Sequence, residues 1–98
     1  MSATTDVGIA EFQAQMQRLY EDRDRERGLA ATIAWLAEEV GELAQATRKG
    51  TLEQRRHELG DVLAWLASLA NQLEIDLASC VQRFMESCPH CGSAPCSC

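Results

Sequence analysis

The sequence predicts an all-α fold, and three observations support this. Apolar residues recur at helical spacing through most of the chain, no segment shows the alternating pattern of a strand, and capping residues separate the apolar segments. The chain of 98 residues suits one domain with a modest core. We therefore expect an antiparallel helical hairpin or bundle of about four helices, completed by oligomerisation. Residues 1–87 would form this domain, and residues 88–98 a cysteine-rich tail.

The first helix is expected to follow Thr5 and Asp6, since both residue types favour the N-cap position. A segment of mixed charge, residues 21–28, comes after it and ends in glycine. The simplest interpretation of this segment is a solvated helix end or loop. The alternative is that one of its three arginines approaches a phosphate: Arg23, Arg25 or Arg27.

The second helix is predicted from about Leu29 to Lys49, and a third helix follows almost at once. Gly50 is a natural helix terminator, and Thr51 with Gln54 matches the capping box that begins a helix. Because the connection is so short, the two helices should fold back on each other as an antiparallel hairpin. The second helix carries an apolar stripe of four residues: Ile33, Leu36, Val40 and Leu43.

A last helix is expected from Leu77 to Ser87, because Asp76 is a favourable N-cap residue. Cys80 on this helix is expected to be a small buried residue. The side that we expect to be buried carries four apolar residues: Leu77, Val81, Phe84 and Met85.

Two acidic pairs flank the apolar stripes of the hairpin, Glu39 with Glu42 and Glu58 with Asp61. Residues three apart on a helix are neighbours, with Cβ atoms about 5–6 Å apart. Glu42 precedes the connection by eight residues and Glu58 follows it by seven, so both lie roughly 11–12 Å from the turn. The four carboxylates should therefore meet at one level. Glu38 points more nearly towards solvent.

Four neighbouring carboxylates are the ligands that a hard cation prefers. Two unit charges about 5.5 Å apart repel by roughly 3 kcal/mol at an effective dielectric near 20, so the group needs protons or a cation. With no histidine or cysteine expected nearby, the set suits Mg²⁺ or Mn²⁺ and not zinc. The alternative is a solvated acidic surface. Two pairs at one level favour the metal site.

Charge and hydropathy exclude several classes of partner. A formal net charge of −6 argues against nucleic-acid binding, which needs a basic face. An acidic chain that handles phosphates would have to do so through a metal. No apolar run is long enough for a transmembrane helix, and the start of the sequence lacks signal-peptide features. We therefore expect a cytoplasmic protein without a membrane partner.

The segments Glu39-Val-Gly-Glu42 and Glu58-Leu-Gly-Asp61, fifteen residues apart, resemble the signature of the MazG-like all-α nucleoside triphosphate pyrophosphohydrolases. The resemblance covers roughly residues 29–85. It implies hydrolysis of a (deoxy)nucleoside triphosphate between its α and β phosphates, giving a monophosphate and pyrophosphate. It also implies that the four carboxylates hold Mg²⁺. One carboxylate would act as general base, either Glu39 or Glu38.

Other candidate substrate-binding residues each have a simpler structural explanation. Lys49 and Arg83 are candidate phosphate ligands, with surface solvation as the alternative. Trp35 and Trp65 are candidates for stacking on a base, although such tryptophans more often belong to a core or an interface. Asn71 is a candidate for bonding a sugar or base, or it satisfies buried backbone groups.

The tail carries Cys88, Cys91, Cys96 and Cys98, a spacing that can complete a tetrahedral zinc site with four thiolates. His90 would replace a cysteine only if one failed to bind. The alternatives are a redox or disulfide role and an unstructured tail.

The leading hypothesis is thus a Mg²⁺-dependent nucleotide pyrophosphohydrolase, a homodimer or homotetramer, with a nucleoside triphosphate as substrate. The alternative is a non-catalytic helical adaptor that binds a protein partner through its zinc knuckle. A phosphoribosyl-ATP-type hydrolase is a third interpretation, which the local sequence favours less. Glu74 departs from the family pattern, which often has glycine there, and base preference is left open.

Overall fold

The computed structural model describes residues 6–98, and this part of the chain contains α-helices, a short 3₁₀ segment and no β-strand. The elements are α1 (Ile9–Lys49), α2 (Leu52–Leu73), α3 (Leu77–Val81) and the 3₁₀ segment Gln82–Phe84. The all-α prediction is confirmed. Within the same residues, no helix combines the length and the apolar character that spanning a membrane requires.

Gly28 divides α1 into an N-terminal arm, residues 9–27, and a C-terminal arm, residues 29–49. Its backbone has φ 83° and ψ 167°, which lies outside the helical region and suits glycine because glycine lacks a Cβ. The two arms correspond to the first two predicted helices. The mixed-charge segment is a helix end, as the simplest interpretation predicts, but it is not solvated throughout, because Asp24 within it is buried.

The start of α1 differs from the prediction. Gly8 is the N-cap residue, its N–H donates to the Glu11 carboxylate at 3.5 Å, and its carbonyl accepts from the Phe12 N–H at 3.0 Å. The prediction of Asp6 as the cap is wrong because the helix begins later, where Glu11 supplies an acceptor three residues on. Thr5 lies outside the described residues.

The hairpin turn is built as the sequence predicts. The Gln54 N–H donates to Thr51 Oγ1 at 3.1 Å, and the Thr51 N–H donates to Gln54 Oε1 at 2.8 Å, which completes the capping box. Gly50 closes α1 with a bond from its N–H to the Ala46 carbonyl at 2.8 Å. A Cβ at Gly50 would lie only 2.7 Å from that carbonyl oxygen, so close approach requires glycine here.

Small side chains fill the contact between α1 and α2, and large apolar side chains lie outside it. The buried small residues are Thr32, Ala46, Ala67, Ser68 and Ala70. By contrast, Ile33 is 49% exposed, Val40 48% and Leu63 54%. Small residues let two helices approach closely, but they leave the larger apolar surface of this chain uncovered.

Gln13 ties the N-terminal arm of α1 to the far end of α2. Its side-chain NH₂ donates to Asn71 Oδ1 at 3.0 Å and to the Ile75 carbonyl at 2.8 Å, and its side-chain oxygen accepts from the Leu77 N–H at 2.9 Å. Asn71 returns a bond from its own NH₂ to the Gln13 carbonyl at 3.1 Å. Gln13 itself is buried, so these bonds satisfy polar groups that water does not reach.

The helix α2 ends in a left-handed residue. Glu74 has φ 58°, and the Ile75 N–H reaches back to the Ala70 carbonyl at 3.0 Å, the longer bond of a Schellman motif. A left-handed C-terminal position favours glycine because a Cβ is strained there. This geometry explains why glycine would be the common residue at this position.

The last predicted helix is shorter than expected. Asp76 does cap it, since its Oδ1 accepts from the Ala78 N–H at 3.1 Å, but the α-helix ends at Val81. The expectation that Phe84, Met85 and Cys80 are buried is wrong within one chain, because all three are exposed. The physical reason is that Gln82–Phe84 tightens into a 3₁₀ turn that packs on α3, so the helix does not continue along the hairpin.

Candidate active site

The hairpin brings the four predicted carboxylates together. Glu39 and Glu42 stand on the C-terminal arm of α1, and Glu58 and Asp61 stand on α2. Carboxylate oxygens of Glu39, Glu42 and Glu58 lie within 4.8 Å of one another, and an oxygen of Asp61 lies within the same distance of Glu58. We call these four residues the acidic quartet. Glu38 is exposed and does not belong to either of these oxygen groups.

Burial and mutual repulsion disfavour the charged form of Glu39. The Glu39 Oε2 and Glu58 Oε1 atoms are buried and have no hydrogen-bond partner. Burial, followed by the nearby Glu42, Asp61 and Glu58 carboxylates, together raise the pKa of Glu39 from 4.5 to about 7. Buried acidic oxygens without partners are what a bound cation would satisfy. The quartet therefore fits a hard metal ion by its donor chemistry and by its unpaired oxygens.

His57 is a neighbour of the quartet that the sequence interpretation missed. Its Nε2 lies 3.2 Å from Asp61 Oδ2, and the two residues are four apart on α2. The expectation of no histidine near the carboxylates is therefore wrong. The i, i+4 spacing could have revealed it, because such residues are neighbours on a helix. The imidazole is a nitrogen ligand within reach, and it suits Mn²⁺ better than Mg²⁺.

A cleft of about 360 Å³ borders the quartet on the side of the turn. Glu42, Glu58 and Lys49 all line it, so a lysine ammonium faces the same space as two of the carboxylates. A cation site beside a free ammonium is an arrangement that suits a polyphosphate, whose negative charges both groups can contact. Lys49 thus lies beside two carboxylates of the acidic quartet.

An aromatic cleft borders the quartet on the opposite side. The rings of Trp35 and Trp65 stack with centroids 5.9 Å apart and planes 13° apart. The Arg27 guanidinium lies 4.6 Å from the centre of the Trp65 ring, and it pairs with the buried Asp24 carboxylate at 2.7 Å. Trp65, Arg27, Asp24 and Asp61 line a cleft of about 220 Å³. This cleft therefore joins an aromatic ring, a guanidinium and a carboxylate of the acidic quartet.

Two other predicted substrate residues lie away from the quartet. Both polar atoms of the Asn71 amide bond to Gln13, which favours the structural explanation of this residue. Arg83 sits in the 3₁₀ segment with its guanidinium 4.6 Å from the centre of the Phe84 ring. A larger cleft, about 390 Å³, includes Asn71 and Gly28 but none of the quartet residues, so its size alone does not make it the site.

The four cysteines of the tail form a second cluster, in which all four Sγ atoms lie within 4.8 Å of one another: Cys88, Cys91, Cys96 and Cys98. Two backbone N–H groups, of Cys91 and then His90, lower the pKa of the Cys88 thiol. Bonds from the Ser97 and Ser93 backbone lower the pKa of the Cys91 thiol from 9.0 to about 5. The neighbouring thiols, those of Cys96 and Cys88 foremost, raise the pKa of Cys98. Lowered thiol pKa values favour thiolates, the form that binds metals.

Comparison with known protein families identifies a match. The family model of the MazG nucleotide pyrophosphohydrolase domain matches residues 27–90. This range covers well over half of the chain, and it includes the C-terminal arm of α1, all of α2 and every residue of the acidic quartet. It ends inside the cysteine cluster, before Cys91. No curated protein matches the chain in a sequence search.

Proposed function

The chain belongs to the MazG nucleotide pyrophosphohydrolase family, and from this premise we propose that it hydrolyses (deoxy)nucleoside triphosphates at the α–β phosphate bond. The products would be a nucleoside monophosphate and pyrophosphate, and the reaction would depend on Mg²⁺ or Mn²⁺. The observation that carries the proposal is the acidic quartet, in which two buried carboxylate oxygens have no partner.

Glu39, Glu42, Glu58 and Asp61 would hold the divalent cation. Their oxygens converge from both helices of the hairpin, and the orphaned oxygens of Glu39 and Glu58 gain a partner only if a cation or a proton enters. When bound, the metal supplies positive charge that offsets the charge of the triphosphate and polarises the reacting groups.

Proton removal from the attacking water falls to Glu39, with Glu38 as the alternative. Glu39 has two carboxylate oxygens, so it can serve the metal with one and accept a proton with the other. Its half-buried position between the helices supports this role. Glu38 is exposed one residue earlier, and it would act if both oxygens of Glu39 were engaged.

The two clefts beside the quartet suggest how a nucleotide lies. The triphosphate would extend towards Lys49, whose ammonium shares a cleft with Glu42 and Glu58. The base would lie in the aromatic cleft against Trp65, which adjoins Asp61. This orientation would bring the α–β bond close to the quartet. Arg27 and Asp24 would then face the base edge, where selectivity is determined.

A homodimer or homotetramer would cover the apolar surface that one chain leaves open. The hairpin uses small residues for its own contact, and its large residues point outward, with Ile33 and Val40 on α1 and Leu59 and Leu63 on α2 about half exposed. An apolar face on two neighbouring helices is the usual requirement for forming a helical bundle with a second copy. The same face flanks the acidic quartet.

Pyrophosphate release from a panel of ribo- and deoxynucleoside triphosphates tests the proposal. We expect release with Mg²⁺ or Mn²⁺ and none without a divalent metal. Glu42→Gln combined with Asp61→Asn should reduce turnover at least a hundredfold, whereas Glu26→Gln, an exposed carboxylate elsewhere on α1, should leave it unchanged. Absence of release from every nucleotide at high protein concentration would contradict the proposal.

The adaptor alternative rests on the cysteine cluster, most of which lies beyond the region that matches the family. It predicts that removal of residues 88–98 abolishes binding to a protein partner. It also predicts that substitutions in the quartet have no effect on that binding. Partner binding that is kept in the quartet variant and lost without residues 88–98, with no turnover in the wild type, would favour the adaptor. Turnover in the wild type that is lost in the quartet variant would favour the enzyme.

A further inference from the structure

The four sulfur atoms of the tail lie within 4.8 Å of one another, and three of their separations are close to those of a metal-centred tetrahedron. A zinc ion with Zn–S bonds of about 2.3 Å requires neighbouring sulfurs about 3.8 Å apart. The Cys96 and Cys98 sulfurs are 3.3 Å apart, and the Cys88–Cys98 and Cys91–Cys96 pairs are each 4.0 Å apart. These separations bracket the tetrahedral value. None approaches the length of a covalent S–S bond, so all four thiols are free.

The backbone around the cluster directs N–H groups at the sulfurs. The His90 N–H donates to Cys88 Sγ at 3.4 Å, and the Ser97 N–H donates to Cys91 Sγ at 3.4 Å. A turn closed by the Gly92 N–H and the Cys88 carbonyl, 2.7 Å apart, makes this possible. Gly92 has φ 75°, which glycine adopts without strain. Backbone N–H groups that donate hydrogen bonds to the ligating thiolates, without binding the metal themselves, are typical of metal sites.

We propose that Cys88, Cys91, Cys96 and Cys98 bind one Zn²⁺ per chain in a closed, structural site. Four protein ligands leave no position for water or substrate, which distinguishes such a site from a catalytic one. Its soft sulfur donors also separate it from the acidic quartet, whose oxygens suit a hard cation. The chain would thus carry two metals of different chemistry in two different places.

Zinc would determine the fold of the tail, because residues 85–98 contain no regular secondary structure and no buried side chain. For a segment of this kind, the free energy of metal binding is also the free energy of folding. The hairpin has its own caps and contacts, so we expect it to stay helical without zinc. The proposal does not depend on the proposed hydrolase activity.

Metal analysis of the purified full-length chain tests the site, and Cys80 offers a matched control. Cys80 is an exposed cysteine on α3 outside the cluster. We expect one zinc per chain in the wild type and in Cys80→Ser, and at least tenfold less in Cys91→Ser and in Cys98→Ser. Circular dichroism should show unchanged helix content in all four proteins, which separates loss of zinc from loss of the fold.

Cobalt provides a second readout that needs no nucleotide. Replacing zinc by Co²⁺ should give the intense thiolate-to-metal absorption of a tetrahedral site in the wild type and in Cys80→Ser, and not in the cluster variants. Three results would overturn the proposal: no bound metal and no cobalt absorption, iron at one equivalent in place of zinc, or disulfides within the cluster in protein kept under reducing conditions.

Discussion

Glu39 on α1 and Glu58 on α2 lie across the hairpin from each other, and each buries one carboxylate oxygen that has no hydrogen-bond partner. Two helices held by a tight turn cannot separate to relieve this repulsion. Binding of a proton or a cation by this pair would therefore stabilise the folded protein.

Mg²⁺ or Mn²⁺ should raise the melting temperature through the acidic quartet. At a metal concentration one hundred times its dissociation constant, binding to the folded state contributes about 2.7 kcal/mol. Thermal unfolding with and without metal measures the effect. The shift should vanish in Glu42→Gln combined with Asp61→Asn and persist in Glu26→Gln. An equal shift in the double variant would place the metal elsewhere.

Without added divalent metal, stability should fall as the pH rises from about 4.5 to 7. The Glu39 pKa is about 7 in the folded protein and 4.5 in the unfolded chain, so in this window the folded state binds more protons. Urea unfolding at pH 5, 6, 7 and 8 measures this slope. The carboxylates that face Glu39 and raise its pKa are those of Glu42, Asp61 and Glu58, and His57 lies beside Asp61.

Glu39→Gln isolates the contribution of Glu39 in that pH series, because the other groups remain. The variant should lose less stability than the wild type between pH 5 and pH 7. Added Mg²⁺ should reverse the slope in the wild type alone. Parallel pH profiles for the two proteins would contradict the assigned pKa shift.

Trp65→Ala should weaken nucleotide binding, and Trp65→Phe should largely preserve it. Base–aromatic stacking contributes about 1–3 kcal/mol, which corresponds to a rise in KM of roughly 5- to 150-fold with a smaller change in kcat. Steady-state kinetics over several nucleotides measures this. Trp35→Phe serves as a control, because it keeps the aromatic stack against Trp65. An unchanged KM in Trp65→Ala would show that the base does not bind in this cleft.

Glu74→Gly should raise the free energy of unfolding by about 1 kcal/mol. Glu74 has a left-handed backbone conformation, which is strained for a residue with a Cβ and is not strained for glycine. For a domain of this size the melting temperature should rise by about 4–8 °C. Glu74→Ala is the control, since it removes the charge and keeps the strain, and it should bring no comparable gain. Equal melting temperatures for the two variants would show that φ at this position does not limit stability.

Leu63→Glu should prevent assembly, since it places a charge on the outer apolar face of the hairpin. Light scattering should give a mass of at least two chains for the wild type, each chain being 10.8 kDa, and one chain for the variant. Arg56→Glu, an exposed charge change on the same helix, should not alter the mass. A monomeric wild type would contradict the proposed oligomer.

Local sequence signals predicted the scaffold of the site well. The Thr51–Gln54 capping box and the close contact at Gly50 fix where the hairpin turns, and both are readable within five residues. Once the turn is known, the level of Glu42 and Glu58 follows from helix geometry alone. The contact of His57 with Asp61 follows equally from their i, i+4 spacing, so the expectation of no histidine near the carboxylates was avoidable.

Long-range packing explains what could not be predicted. The Arg27 contact with Trp65 depends on the angle between the two arms of α1 at Gly28. No local sequence pattern predicts that angle. The exposure of Phe84 depends likewise on where α3 tightens into a 3₁₀ turn. The S···S spacing of the tail also required coordinates, although the cysteine spacing suggested a cluster.

The hairpin turn at Gly50 also limits how related chains can vary in length. One residue inserted in α1 or α2 between the turn and the acids would rotate a carboxylate pair by about 100° away from its partner. Two insertions of one whole turn each, roughly seven residues in total, would restore both the level and the facing of the pairs. Length differences between the two acidic motifs should therefore fall either inside the connection itself or in steps of about seven residues.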